Sequence, residues 1–447
     1  MAGTRSRVAG ALAAVVAVVV LAACTDAADP VPAQTQSPTA SDDADAVVHL
    51  TLADYAGLPI QPLLDEYQRA NPDVVIEVTG QPGASSHRPT LPEDLASTAP
   101  LADVVLLGDD YLGTVIGNAE RFADLGGHGF DGERDGALAW AWQRGADANG
   151  GLRAAPLTIA PAALCFRQDL LAEAGIAADR DELAALLAAD GGGWDVYFDV
   201  GRRYHEATGR AWFDQPETLW RAMVHQLPTG YSAPGRTVDL ATDPELRARW
   251  DLLTAAIADG LSAHEAQWDW HGGRAFVDGT FATFPCADWT LGMVEANVTA
   301  GGGDGSTGWD VADVFPGGGW SWGGAHVALA ADSQHAVDAA ALATWLTDPA
   351  QQAGFHTAGL GLPSDEAALD AYAQDAAAHP FFNDAPVGPI LAARAAAVPP
   401  HVAGPADLRL ALEAFGPALH ALDQGATDPA TAWADALAAA AEVQTSG

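Results

Sequence analysis

Aromatic and carboxylate side chains dominate the chemistry this sequence can offer. It carries 14 Trp and 59 Asp plus Glu against 20 basic residues, every one of them arginine. A chain without lysine has no Walker-type phosphate lysine, no Schiff-base lysine and no kinase strand lysine, which removes three large enzyme classes. Glycoside hydrolysis would need two carboxylates with separated pKa values across a defined gap, and so acidic a chain brings two acids into any cleft by chance. Gly230-Tyr-Ser-Ala-Pro234 lacks the second glycine of a nucleophile elbow. There is no His-Glu-x-x-His, and among 13 His the nearest approach to a metal pair is His264 with His271, seven residues apart. Gly301-Gly-Gly-Asp-Gly-Ser-Thr-Gly308 has neither a lysine nor a strand-to-helix setting and reads as a loop. No catalytic residue, metal or cofactor is expected.

The formal charge of -39 argues against nucleic acid and anionic lipid surfaces, both of which bind through basic patches. A hydrophobic content of 49% with 8% aromatic residues is that of a globular protein, and the length suits two or three cores. The acidity is a solvated skin over them.

Arg5 and Arg7 precede an apolar run from Val8 to Ala23, the positive and apolar regions of an export signal. The run is shorter than the roughly 20 residues a membrane span needs. It ends Leu21-Ala22-Ala23-Cys24, which resembles a bacterial lipobox with Cys24 as the lipidated first mature residue. Residues 24–46 are built from Ala, Asp, Pro, Ser, Thr and Gln and are too poor in apolar surface to pack, so they read as a disordered tether. Cys165 and Cys286 then remain in an exported chain, either as a bridge or as two buried thiols, and the oxidising compartment favours the bridge.

The elements that must position any site alternate. Ala46–Ala53, Val74–Thr79 and Ala102–Leu107 read as strands, with a helix over about 58–69 between the first two. This pattern predicts a parallel sheet whose ligand chemistry lies outside the strands' carboxyl ends. Those ends are Asp54-Tyr55, Gly80-Gln81 and Asp109-Asp110-Tyr111. Further on, Trp194, Tyr197, Phe198, Gly201 and Tyr204 fall at helical spacing, as do the apolar residues of 246–257, 333–346 and 405–422.

The order of several segments resembles that of extracellular solute-binding proteins of the sugar type. The carriers are Leu152-Arg-Ala-Ala-Pro156 with Ala163-Leu-Cys-Phe-Arg-Gln-Asp169, then Phe276-Val-Asp-Gly-Thr280 with Cys286-Ala-Asp-Trp289. They continue with Gly317-Gly-Gly-Trp320-Ser-Trp322-Gly-Gly-Ala-His326 and Gly359-Leu-Gly-Leu-Pro363. Cys286-Ala-Asp-Trp289 and Phe382-Asn-Asp-Ala-Pro-Val-Gly388 are similar to segments of actinobacterial cellobiose-binding lipoproteins. The Trp268-Asp-Trp270-His271 cluster departs from that pattern. The resemblance implies an α/β fold of two lobes on a three-segment hinge (type II), with residues 47–157 plus 290–328 in the first lobe and 158–289 plus 329–447 in the second. It implies crossings between the lobes near 152–175, 276–289 and 317–329.

A pyranose has an apolar face of C–H groups and a rim of hydroxyls, so its site is an aromatic floor edged by acids and amides. Trp220, Trp250, Trp345 and Trp433 sit at helical apolar positions and are expected in cores, as are Trp140, Trp142, Trp194 and Trp309. Trp289, Trp320 and Trp322, at crossing segments rich in glycine, are the expected sugar platforms, with Trp212 and the Trp268/Trp270 pair as further candidates. Asp54, Tyr55, Asp109, Asp110, Asp288 and Arg88 are the candidate hydroxyl partners. Successive residues after a strand face opposite sides, so only one of Asp109 and Asp110 is expected in the cleft.

The expectation is a monomeric lipoprotein on the outer face of the cytoplasmic membrane of a Gram-positive type bacterium. It would capture an oligosaccharide, cellobiose or a cello-oligosaccharide, for an ABC permease, without acting on it as an enzyme. The alternatives are the same fold holding a cation such as a polyamine, which suits an acidic aromatic cleft, and a surface glycoside hydrolase.

Overall fold

The computed structural model describes residues 47–79, 91–97, 99–130, 136–228, 230–233, 236–237, 239–266, 268–303, 305 and 308–445. Cys24, the tether and Arg88 lie outside these residues.

The chain begins as the sequence alternation demands, with strands β1 (Val48–Asp54), β2 (Val74–Thr79) and β3 (Val104–Gly108) around the helix Gln61–Ala70. β1 pairs in parallel with both β2 and β3. Val104 to Leu107 are all buried, so β3 is covered on both faces, which is why it reads as a continuous apolar run. β4 (Ala155–Pro161) then continues almost directly into β5 (Ala163–Arg167). After β6 (Ala211–Phe213) and the small ribbon of β7 (Ser232–Ala233) and β8 (Arg236–Thr237), the strands are β9 (Phe281–Cys286), β10 (Trp309–Ala312), β11 (Ser321–Leu329) and β12 (Leu362–Pro363).

These strands form two main sheets. The first has the order β12-β4-β11-β3-β1-β2 and the second β10-β5-β9-β6. Each sheet is the centre of one lobe. The helix Ala336–Thr347 buries Ala339, Leu342, Ala343 and Leu346 with Leu52, Leu106 and Val327 of the first sheet. The second lobe has an aromatic core in which Trp194, Tyr197, Phe198, Trp220, Trp250 and Phe276 are fully enclosed. Its helices start where the sequence provides caps: the Asp243 carboxylate accepts from the amides of Glu245 and Leu246, and the Asp179 carboxylate from Asp181 and Glu182. Cys165 and Cys286 form a disulfide between β5 and β9.

The chain crosses between lobes at Ala162, again between Ala312 and Ser321, and a third time after β12. This corrects two expectations. The segment 276–289 is not a crossing, because β9 pairs with β5 and β6 inside the second sheet. The lobe boundaries shift accordingly. Within 290–328, β10 and the helix Asp288–Ala300 belong to the second lobe, and within 329–447 the stretch through Pro363 belongs to the first. The segments are alike in composition, and only strand pairing assigns them.

β4 and β11 do not pair evenly. Pro156 and Pro161 have no amide to donate, and the register slips between Ser321 and Gly324 and again between Ala325 and His326. Gly323 and Gly324 take φ of 105° and 119°, and a Cβ on Gly324 would meet the Thr158 carbonyl at 2.7 Å. Glycine is needed at this irregularity, which forms the floor between the lobes.

Candidate functional site

The space between the lobes is a cleft of about 380 Å3 bounded by Ala56–Pro59, Thr158–Ala160 and Gly324 from the first lobe and by Asp288 and Trp289 from the second. His356 and Gly361 close one side. Its size is that of a small-molecule site.

Trp289 is positioned by the first turn of the helix Asp288–Ala300, which follows directly on β9. Its Nε1 donates to the Trp322 carbonyl at 2.8 Å across the lobes, and its ring stands edge-on to Trp322 at 5.0 Å. It is nevertheless 42% exposed, so one indole face is open to the cleft. Asp288 lies beside it. Burial pushes its carboxyl up to about 6, against the backbone amide of Trp289, which favours the anion.

Trp320 and Trp322 are buried and stack on each other at 5.3 Å and 20°. They support Trp289 and present no free face of their own, so the expectation of them as sugar platforms is corrected. Trp320 Nε1 donates to His225 Nδ1 at 3.2 Å, which requires a neutral imidazole. Burial, the stacked His401 ring at 4.8 Å and the nearby Arg221 and Arg144 all push the His225 imidazole well below its ordinary range. His401 is itself lowered to about 4, by burial first and then by Arg144.

The paired acids after β3 are both engaged. Asp109 accepts from Arg144 Nη1 at 2.7 Å and lies 3.0 Å from His326 Nδ1. Asp110 forms an ion pair with Arg221 of the helix Pro216–His225 in the second lobe. That pair joins the two lobes at one end of the cleft. An exposed pair of this kind contributes about 0.2–1 kcal/mol, so Arg221→Gln is expected to lower the closed population and weaken ligand binding by up to about fivefold. Small-angle scattering of the unliganded variant should show a larger radius of gyration than the parent. An unchanged radius with unchanged affinity would remove the latch role.

Asp54 is buried, and its Oδ1 accepts from the Gly57 amide at 2.7 Å, so it shapes the Ala56–Pro59 wall. The Tyr55 hydroxyl donates to Asp94, in a neighbouring cavity that also holds Thr51 and Thr79. Two further candidates are corrected. Trp212 is fully enclosed between Tyr197 and Tyr204, because β6 turns that side chain onto the helix Trp194–Thr208 and against Gly201. Trp270 is buried against Phe276 and Phe284, with its Nε1 on Asp214 Oδ2 at 3.1 Å. Sequence reasoning missed Arg144, Arg221, Thr158 and His356, which sit on helices, a strand and a turn without any motif to mark them.

Over residues 63–380 the chain matches the family model of the bacterial extracellular solute-binding proteins. The chain belongs to this family. The two-lobed α/β architecture is that of its solved structures. A structure described as extracellular solute-binding protein family 1 is 33% identical, with a TM-score of 0.81 over 89% of this chain and 99% of the other. The galacto-N-biose-/lacto-N-biose I-binding protein of an ABC transporter from Bifidobacterium longum, in complex with lacto-N-biose, is 17% identical with a TM-score of 0.68, over 90% of this chain and 98% of that one. A cyclic alpha-maltosyl-1,6-maltose binding protein from Arthrobacter globiformis is 18% identical with a TM-score of 0.62, over 90% and 100%. A comparison with curated proteins finds no match. As a solute-binding protein of an extracellular family the chain works outside the cytoplasm. No helix among the described residues is long and apolar enough to cross a membrane.

Proposed function

We propose that this solute-binding protein captures an oligosaccharide, cellobiose or a cello-oligosaccharide, and delivers it to an ABC permease while tethered to the membrane through lipidated Cys24. The observation that carries the sugar reading is the open indole face of Trp289 at the cleft, backed by Trp322 and flanked by Asp288 and Thr158. An apolar plate rimmed by oxygen acceptors matches the C–H face and hydroxyl rim of a pyranose. The binding proteins from Bifidobacterium longum and Arthrobacter globiformis are named for oligosaccharides. A polyamine would need a box of free carboxylates. Here Asp109 and Asp110 are each paired with an arginine, Arg144 and Arg221, so neither offers an uncompensated carboxylate to a cation.

Mechanistically, the ligand would bridge Trp289 of the second lobe and the Ala56–Pro59 and Thr158 walls of the first, and contacts made to both lobes set the closed population. The test is calorimetric titration of residues 45–447 with cellobiose, cellotriose, chitobiose, maltose, xylobiose and spermidine. A β-linked oligosaccharide is expected to bind. Trp289→Ala should weaken it by more than about 2 kcal/mol, roughly thirtyfold, with little change in melting temperature because the indole is half exposed. Binding of spermidine alone, or equal sugar affinity for variant and parent, would defeat the reading.

A further inference from the structure

The tryptophans of this protein are packed away with two exceptions. Trp289 is one and Trp268, at 59% exposed, is the other. The two are neighbours: their ring centroids are 6.1 Å apart and their planes 35° from parallel. Together they make one apolar strip running from the cleft outward along the second lobe. A large aromatic surface left in water is the informative kind of exposure.

The backbone under Trp268 is held at a cost. Trp268 has φ of 70°, and beyond Asp269 Trp270 and His271 take 41° and 52°, so three non-glycine residues close together are left-handed. Each such residue costs on its own, and a cluster of them persists only where the surroundings over-determine it. They do so here. The Glu265 amide donates to the Asp214 carbonyl at 3.1 Å, His271 Nδ1 lies 2.9 Å from Glu265 Oε1, and Trp270 Nε1 is tied to Asp214. Trp268 stands edge-on against Trp270 at 5.6 Å, so a buried, hydrogen-bonded indole braces an exposed one. Nothing in the packing of the lobe requires an indole at this position, since most of its surface is outside.

We infer that Trp268 is an outer sugar-stacking platform, which carries the units of a bound oligosaccharide that extend beyond the one on Trp289. The inference rests on the oligosaccharide reading above and narrows it to chains of three or more units. Both indoles belong to the second lobe, so the strip is complete before the lobes close and can take up a long ligand in the open state. A disaccharide with one unit on Trp289 and the other against the Ala56–Pro59 and Thr158 walls leaves Trp268 uncovered, and only a further unit outward lies over it. A longer chain gains one further stacking contact on a braced ring, at small entropic cost.

The experiment is titration of the parent, Trp268→Ala, Trp268→Tyr and Trp268→Gly with cellobiose and cellotetraose, together with their melting temperatures. Trp268→Ala is expected to weaken cellotetraose about tenfold and leave cellobiose unchanged, with Trp268→Tyr restoring most of the loss. Trp268→Gly relieves the left-handed strain, so it should keep or raise the melting temperature while losing cellotetraose affinity. Equal weakening of both sugars, no weakening of either, or a large drop in melting temperature for Trp268→Gly would overturn the outer platform and leave the sugar reading in place. A parent that binds neither sugar would overturn both.

Discussion

Replacing Cys165 and Cys286 together by alanine is expected to lower the unfolding free energy by about 5 kcal/mol in the chain-entropy account of disulfides, the largest single effect foreseen for this protein. The two residues are 121 apart in sequence and join β5 to its neighbour β9, so the bridge closes a loop that takes in most of the second lobe. Without it the unfolded chain regains that loop's freedom, while the folded lobe loses only two buried sulfurs. Affinity for ligand should stay within about twofold, because the bridge acts on the unfolded state and neither sulfur reaches the cleft. Denaturant melts of the parent and the double variant, with a titration of each, check both halves. Coincident melts would mean that the cross-link contributes nothing to the native state.

The second large effect is a pH dependence carried by Asp214. It is fully buried, and burial pushes its carboxyl up to about 7, with the nearby Glu217 adding to the rise and Trp270 Nε1 opposing it. Below about pH 4 both the folded and the unfolded chain hold this proton, and the group costs nothing. Between pH 4 and 7 the unfolded chain ionises while folded Asp214 does not, so stability falls by about 1.4 kcal/mol per pH unit. Above 7 the loss levels off at about 4 kcal/mol. His401, lowered to about 4, works in the other direction and withdraws stability as pH falls below its ordinary value. The clean readout is therefore a difference between proteins. Asp214→Asn should remove about 3 kcal/mol of the stability change between pH 5 and pH 8, with its side-chain carbonyl still accepting from Trp270. Identical slopes for parent and variant would show that Asp214 does not hold its proton in the folded state. Because Trp270 braces Trp268, the same buried acid also fixes the outer tryptophan.

The strands before the first crossing were legible in the sequence because local pattern and tertiary environment agree there. Val74–Thr79 alternates after the turn at Asn71-Pro72-Asp73 and forms β2 over those residues, and the apolar run before Asp109 forms the doubly covered β3. The helices over 194–208 and 244–258 follow from aromatic and apolar spacing and from the Asp243 cap. Reading 276–289 as a crossing failed because an apolar segment of five or six residues carries no record of which sheet it will join. Pairing with β5 and β6 decided that for β9.

By itself the sequence determined the α/β class, the absence of lysine chemistry and the family, since these rest on composition, order and spacing along the chain; it left the two cysteines open between a bridge and free thiols, which the pairing of β5 with β9 decided. The tertiary structure alone decided which candidates can meet a ligand. Asp109 and Asp110 follow a strand end as a site acid should, yet arginines at positions 144 and 221, from two different helices, neutralise them. Trp212, Trp270, Trp289 and Trp268 are the same residue, and nothing along the chain separates the enclosed from the open ones. Trp212 is enclosed because β6 turns it onto the helix Trp194–Thr208, and Trp270 because Phe276 and Phe284 pack around it, while Trp268 and Trp289 stay open; side-chain direction at that level is set by long-range packing.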